Sequence, residues 1–302
     1  MTFTNSPTTR HQFNGRPFFL KRDDLLHPQF SGNKARKFMS LMQAGFPGIK
    51  QLIGYGSVQA NSLYSLAALC SLRGWKLKFY VDHIPDFVQN KPMGNYRAAL
   101  ALNADIIDLS KVADREGLHA QNYIEKTYTG RKDCLLVPEG GRSVIAEEGI
   151  RGLAVEILSW SKQNKIENLT VALPSGTGTT ALYLNKYLAE NNINVLTCAC
   201  VGGEPYLIEQ FTLLGETEFP QVLQTGKKHH FGRLKLDDYL IWQQLKAQTH
   251  VEFDLLYDPL MWRNLQPWLE ENPDHTLLYI HQGGLLANET MLPRYQRKYD
   301  TC

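Results

Sequence analysis

A lysine behind a tight polar turn is the first feature that could do chemistry. It is Lys34, in Ser31-Gly32-Asn33-Lys34-Ala35-Arg36-Lys37. A lysine amine kept deprotonated forms a Schiff base with an aldehyde, and this turn would place Lys34 at a helix start facing a cleft. In a basic cluster the competing reading is a solvated side chain. A second feature is Pro174-Ser175-Gly176-Thr177-Gly178-Thr179-Thr180, between an apolar run and a helix-like stretch, Ala181 to Leu188. Small residues let backbone N–H groups approach a phosphate, and the hydroxyls add donors. The loop lacks the Gly-Lys-Ser/Thr ending of a nucleotide P-loop, which argues against ATP. An ordinary tight turn is the plainer alternative. Gly176, Gly178 and Ala181 also match GxGxxA, the loose dinucleotide pattern of a nicotinamide or flavin enzyme. That reading needs an acid at the end of the next strand. The strand-like run there ends at Val201, and the first acid beyond it is Glu204, after two glycines. The third feature, Gly56-Ser57-Val58-Gln59-Ala60-Asn61-Ser62, offers amides and hydroxyls at a helix start, or simply caps a helix. His229 and His230 are adjacent, an arrangement that rarely serves one metal without further ligands. His281 reads equally as a structural histidine or a neighbour of the site. Tyr257 reads as a phenol available to the site or a packed aromatic, and the Trp-rich stretch Met261 to Trp268 reads as amphipathic packing.

The elements that must position these residues follow from hydrophobic patterning. Apolar runs at Ile49–Gly54, Leu77–Val81, Cys134–Val137, Leu169–Leu173, Val195–Val201 and Leu277–Ile280 read as strands buried on both faces. All but Leu77–Val81 run into glycine-rich turns. Between strands, Leu63, Leu66, Ala67 and Cys70 lie on one face of a helix that Gly74 would cap. A second amphipathic helix is predicted over Val144 to Ser161, with Ile145, Ile157 and Leu158 facing the core. The fold class is α/β with mainly parallel sheets. Ligands of such sheets bind beyond the carboxyl ends of the strands, so five glycine turns would gather round one cleft with helix N-termini aimed into it. That cleft suits an anion.

Composition narrows the partners. Lys and Arg total 32 against 30 Asp and Glu, a formal charge of +2 over 302 residues, which disfavours nucleic acid or a membrane surface as the main partner. No run reaches the length of a membrane span. The stretch from Met1 to Gly15 is polar, without the apolar centre of a signal peptide. The cysteines, Cys70, Cys134, Cys198, Cys200 and Cys302, form no CxxC pair and read as reduced, buried thiols in a cytoplasmic protein.

Taken in order, these segments carry a resemblance. Leu20-Lys21-Arg22-Asp23-Asp24-Leu25, Gly32-Asn33-Lys34-Ala35-Arg36-Lys37, the Gln59-x-Asn61 loop and Gly94-Asn95 are followed by Pro138 with Gly140-Gly141. Ser175 to Thr180, Asp258-Pro259 and His281 with Gly283-Gly284 complete the set. The chain resembles the pyridoxal-phosphate enzymes of the 1-aminocyclopropane-1-carboxylate deaminase and D-cysteine desulfhydrase family over about residues 16 to 286. The resemblance implies a two-domain, tryptophan-synthase-β-like fold (fold type II) of twisted, mainly parallel sheets flanked by helices. It implies a discontinuous large cofactor-binding domain, 1–50 with 160–302, and a small domain, 51–159. Lys34 would hold pyridoxal 5′-phosphate, Asn61 would lie beside the pyridine hydroxyl, and Ser175, Gly176, Thr177, Gly178, Thr179 and Thr180 would cradle the phosphate. Gln59, Asn61 and Ser62 would meet a small amino-acid substrate, and the protein would be a homodimer.

Departures from the family pattern bear on activity. Ala60 stands where the family carries a serine, and alanine has no donor, acceptor or titratable group. The usual tyrosine after Asp-Pro falls at Met261, and the neighbour that contacts the pyridine nitrogen falls at Trp262; a local realignment would bring in Tyr257 or Gln282. β-Elimination needs one well-placed base, which Lys34 can supply, whereas cyclopropane opening relies more on the missing groups. The expected function is therefore a D-cysteine desulfhydrase-like lyase giving an α-keto acid and ammonia. The alternatives are 1-aminocyclopropane-1-carboxylate deamination and a pyridoxal-phosphate-binding protein with little catalysis.

Overall fold

The computed structural model describes residues 5–43, 45–224, 226 and 229–300. Cys302 and the Lys227-Lys228 pair lie outside the described residues. The strands are β1 (Thr8–Phe13), β2 (Arg16–Lys21), β3 (Gln51–Tyr55), β4 (Lys76–Val81), β5 (Asp105–Asp108), β6 (Cys134–Val137), β7 (Leu169–Ala172), β8 (Asn194–Thr197), β9 (Gln221–Val222) and β10 (Thr276–Ile280). They form two sheets, of order β1-β2-β10-β7-β8-β9 and β5-β4-β3-β6. Every pairing is parallel except that of β1 with β2. Each sheet is covered on both faces, which is why its central strands are almost wholly apolar.

Where patterning was strong, the predicted elements are present within a few residues. The helix Asn61–Arg73 buries Leu63, Leu66, Ala67 and Cys70, and Gly74 ends it in the left-handed region at φ 69°. The second expected helix runs Ala146–Gln163 and buries Ile157. Ile145, expected in the core, is 42% exposed because the helix begins after it. The run from Val195 leaves the regular sheet at Thr197 and continues only as a bridge between Ser175 and Ala199. The hairpin β1–β2 was not anticipated, although its Asn14-Gly15 turn, with φ of 49° and 79°, is the usual chemistry of a two-residue connection.

The helix Ala146–Gln163 runs across the expected boundary at 159, and its buried residues Ile150, Leu153 and Ile157 share a core with Leu169 and Val171 of the larger sheet. It also crosses the short helix Gly32–Lys37 at Gly149, where a Cβ would lie 1.9 Å from the Arg36 carbonyl oxygen. No side chain can relieve a backbone clash of that size. Gly149→Ala is therefore expected to destabilise the fold by about 3 kcal/mol or more, read as a lower denaturation midpoint at unchanged slope.

Candidate active site

The turns after β3, β6, β7, β8 and β10 converge on a cavity of about 340 Å³. Lys34, Gln59, Ala60, Asn61, Ser62 and Ser175 to Gly178 with Thr180 line it, so the three segments singled out in the sequence meet there. Thr179, wholly buried, bonds the Thr177 hydroxyl at 3.2 Å from the next turn of the loop. A more open hollow of about 750 Å³ lies near the β1–β2 turn, where Arg16 is committed to the carbonyls of Leu269, Asn272 and Pro273. Of the expected site residues only Trp262 borders it.

Lys34 sits on the helix Gly32–Lys37, which starts after the extended Ser31. The helix start is pressed against the end of β10. Asn33 donates its N–H to the Gln282 carbonyl at 3.1 Å, and its amide donates to Gln282 Oε1 at 2.7 Å. Gly32 has φ +68°, and a Cβ there would be 2.0 Å from the Gln282 oxygen. Only glycine permits this approach. Behind the helix, Arg36 binds Asp23 at 2.8 Å and Glu156 at 2.6 Å, and Lys21 binds Glu156 at 2.7 Å. Arg36 and Asp23 are buried, the guanidinium is held above its ordinary range by these carboxylates, and the Glu156 carboxyl is held below its own by Arg36 and Lys21. Arg36→Met would leave the buried Asp23 without a counter-charge and Glu156 with Lys21 alone. A loss of about 3–5 kcal/mol is expected, measurable by chemical denaturation.

Burial pulls the Lys34 amine down to about 8, with Asp254 and Glu139 opposing the shift. One helical turn on, Lys37 is also buried, and burial together with Lys34 and Arg142 holds it well below the ordinary lysine range. Its ammonium reaches the Gly140 carbonyl at 3.0 Å and the Thr177 hydroxyl at 3.4 Å. A buried lysine with only neutral partners, aimed at a hydroxyl-rich loop and left to carry its charge only beside an anion, is the electrostatic signature of a site for one. The loop itself agrees. Thr180 Oγ1 is buried without a partner, and Gly178, at φ +71°, packs so tightly on Phe211 and Leu207 that a Cβ would fall within 2.5 Å of either. Ser175 is spent on structure, its hydroxyl bonded to Thr197 at 2.6 Å. The described residues thus fit a phosphate at 176–180 and an aldehyde near Lys34.

On the opposite wall, Asn95 donates to Asn61 Oδ1 at 2.8 Å and to the Gln59 carbonyl at 2.9 Å, holding the Gln59-Ala60-Asn61 loop. The Gln59 amide donates to the Met93 carbonyl, leaving Oε1 buried without a partner. Ala60 is the last extended residue before the helix and borders the cavity as expected.

The expected places of Met261 and Trp262 are corrected. Both are buried in the core of the larger sheet, and the indole packs on Phe13, Phe18 and Tyr279 at ring separations of 4.9 to 5.1 Å. The helix Asp258–Glu271 begins at the cavity, so Asp258 and the preceding turn face it while the next residues turn inward. Tyr257 lines the cavity, its phenol pushed above the ordinary range by burial. Gln282 lines it too, but its amide is committed to Asn33 and Pro174.

Sequence reasoning missed Asp254. Its Oδ1 accepts the N–H groups of Leu256 and Tyr257 at 2.7 and 2.9 Å, and its Oδ2 is buried without a partner. Burial, and then the nearby Asp258, push its carboxyl up to about 8. Glu139, Tyr206 and Phe231 complete the wall. Lys37 had a usable signal, its three-residue spacing from Lys34. His281 is structural: wholly buried, it contacts the Glu252 carbonyl at 2.7 Å, accepts the Gly283 N–H and stacks on Phe253. Glu204, the acid a dinucleotide site would need, is bonded instead by the Gln224 amide at 3.1 Å.

No family model matches the chain. Among curated proteins it is 23% identical to the putative D-cysteine desulfhydrase 2, mitochondrial, of Oryza sativa, over 94% of this chain and 82% of that one. It is 24% identical to the D-cysteine desulfhydrase of Yersinia enterocolitica, over 90% and 88% of the two chains. Among solved structures, an ACC deaminase homologue superposes with a TM-score of 0.78 at 19% identity, over 97% of this chain and 94% of that one. The chain is thus similar to D-cysteine desulfhydrase and ACC deaminase proteins, and it has the fold-type II, tryptophan-synthase-β-like architecture.

Proposed function

We propose that the chain is a pyridoxal-phosphate-dependent amino-acid lyase that performs a desulfhydrase-type β-elimination on a small amino acid. The observation that carries this reading is the pairing of two lysines one helical turn apart, the half-buried Lys34 facing the cavity and the buried Lys37 reaching the loop of Ser175 to Thr180. When bound, the cofactor supplies an electron sink for negative charge developing on the substrate carbon. Lys34 would hold its aldehyde, and Lys37 with the backbone and hydroxyls of 176–180 would hold its phosphate. Asn61 would stand beside the ring hydroxyl, and Asp254 and Asp258 are buried acids that line the same cavity. Released from the aldehyde, the Lys34 amine, at about 8, is poised to take the proton from the substrate α-carbon near neutral pH. Gln59, Asn61 and Ser62, at the start of a helix, would receive the substrate carboxylate. The β-substituent then leaves, and the product hydrolyses to an α-keto acid and ammonia.

We further propose, on the sequence resemblance, a large domain of 1–50 with 160–302, a small domain of 51–159, and a homodimer. The buried free thiols of Cys70, Cys134, Cys198 and Cys200 support a reducing compartment, and we place the protein in the cytoplasm. No helix among the described residues is long and apolar enough to cross a membrane.

A second reading, cofactor binding with little turnover, draws on Ala60 and Phe231, which bring no hydroxyl to the cavity. One experiment separates the two. The visible spectrum of the purified protein with pyridoxal phosphate is followed while D-cysteine, then other D- and L-amino acids, are added singly. A band that shifts with D-cysteine and yields pyruvate and ammonia is the expected result. A stable band that no amino acid moves would favour the binder, and no band at all would overturn both.

A further inference from the structure

Glu139 is a carboxylate the proposed elimination does not use. It follows β6, lines the cavity and is exposed to it. No described side chain hydrogen-bonds it; burial raises its carboxyl, and Arg142 and Lys34 act on it only through space, as does Asp82 with the opposite sign. Its Oε1 lies 3.3 Å from the point where a Gly56 Cβ would stand, and the Ala60 Cβ lies 3.7 Å from that same point. The carboxylate is therefore beside the loop expected to receive the substrate.

Facing the same space are Tyr206, Phe231 and Tyr257, the last two with ring centroids 5.2 Å apart. Glu139, Lys34 and both phenols line this one cavity, and Glu139 acts electrostatically on the other three. An unpaired carboxylate in a cavity that also carries aromatic rings is a poor surface for a second substrate carboxylate and a good one for an ammonium, which gains from both the charge and the ring faces.

We propose that Glu139 is a specificity-determining residue that selects amino acids whose side chain ends in a cation, with Tyr206, Phe231 and Tyr257 as the surrounding wall. This rests on the lyase reading above and names its substrate class. For S-(2-aminoethyl)cysteine the step balances without a further reagent. The α-proton passes to Lys34, the Cβ–S bond breaks, and the thiolate takes a proton and departs as cysteamine. Water then converts the released enamine to pyruvate and ammonia.

The test uses the cofactor-loaded protein and three probes differing only in the tail: S-(2-aminoethyl)-, S-propyl- and S-carboxymethylcysteine, each as both enantiomers. Spectral titration gives Kd, and pyruvate release gives kcat and KM. The native protein is expected to rank the tails cationic, neutral, anionic. In E139Q the ratio of kcat/KM for the cationic over the neutral tail is expected to fall about tenfold, mostly through KM, with E139A behaving alike. If the neutral tail is preferred by the native protein, or E139Q leaves the ratio unchanged, the charge selection is overturned while the lyase reading stands. If no probe moves the band while D-cysteine does, the charge selection falls and the lyase reading stands; if D-cysteine fails as well, both fall together.

Discussion

Lys34→Ala is expected to erase the visible band of the cofactor-loaded protein and to lower pyruvate release by about a thousandfold or more. The argument is chemical and positional. Within the cavity the other lysine, Lys37, is engaged with the Gly140 carbonyl and Thr177, so it stands one turn away on the phosphate side. The same position also carries a stability signature. An amine at about 8 in the folded protein and near 10.5 unfolded binds fewer protons when folded. Stability of the cofactor-free protein should therefore rise as pH climbs from about 8 to about 10.5, and the deficit is fully present at neutral pH. Lys34→Met, which keeps the apolar stem, should recover roughly 2–3 kcal/mol of it at pH 7. A midpoint of denaturation that falls in Lys34→Met would show that the amine is already well paired. A band that persists in Lys34→Ala would place the anchor elsewhere.

Lys37→Met is expected to weaken pyridoxal phosphate about a hundredfold while leaving the affinity for pyridoxal, which lacks the phosphate, nearly unchanged. Lys37 is buried, and its charge is disfavoured by burial and by Lys34 and Arg142. A dianion at the 176–180 loop would reverse that penalty, and the coupling should appear as affinity. Methionine has a similar length and no charge, so the packing of the stem beside Gly141 is retained. The measurement is a cofactor titration followed by absorbance, for both ligands and both proteins. Equal losses for pyridoxal and its phosphate would mean that Lys37 holds the loop rather than the anion. A loss for neither would remove it from the site.

Much of the site was legible because its chemistry is local. A lysine after Ser-Gly-Asn, a hydroxyl-glycine loop after an apolar strand, and polar residues before an amphipathic helix are each specified by neighbours along the chain. Their backbone states are set by glycine, turn and capping preferences that act over a few residues. The parallel strands were readable for a similar reason, since burial on both faces leaves an unbroken apolar run. The β1–β2 hairpin carried its Asn14-Gly15 signal but is short and largely polar, and so weak in hydrophobic patterning.

What the chain alone could not specify is which side chains share a wall. Asp258-Pro259 suggested Met261 and Trp262 as cavity residues, but the direction in which the helix Asp258–Glu271 packs turns them into the core and leaves Tyr257 and Asp254 at the cavity. Glu139, Tyr206 and Phe231 come from separate segments of the chain and meet only when the two sheets are set together. The lowered amines of Lys34 and Lys37 and the raised acid of Asp254 exist for the same reason. Desolvation and charge proximity depend on distances through space, and no spacing along the chain encodes them. Residue type and local turn chemistry thus decided what this protein could bind. Tertiary packing decided which acids, phenols and cations would surround it.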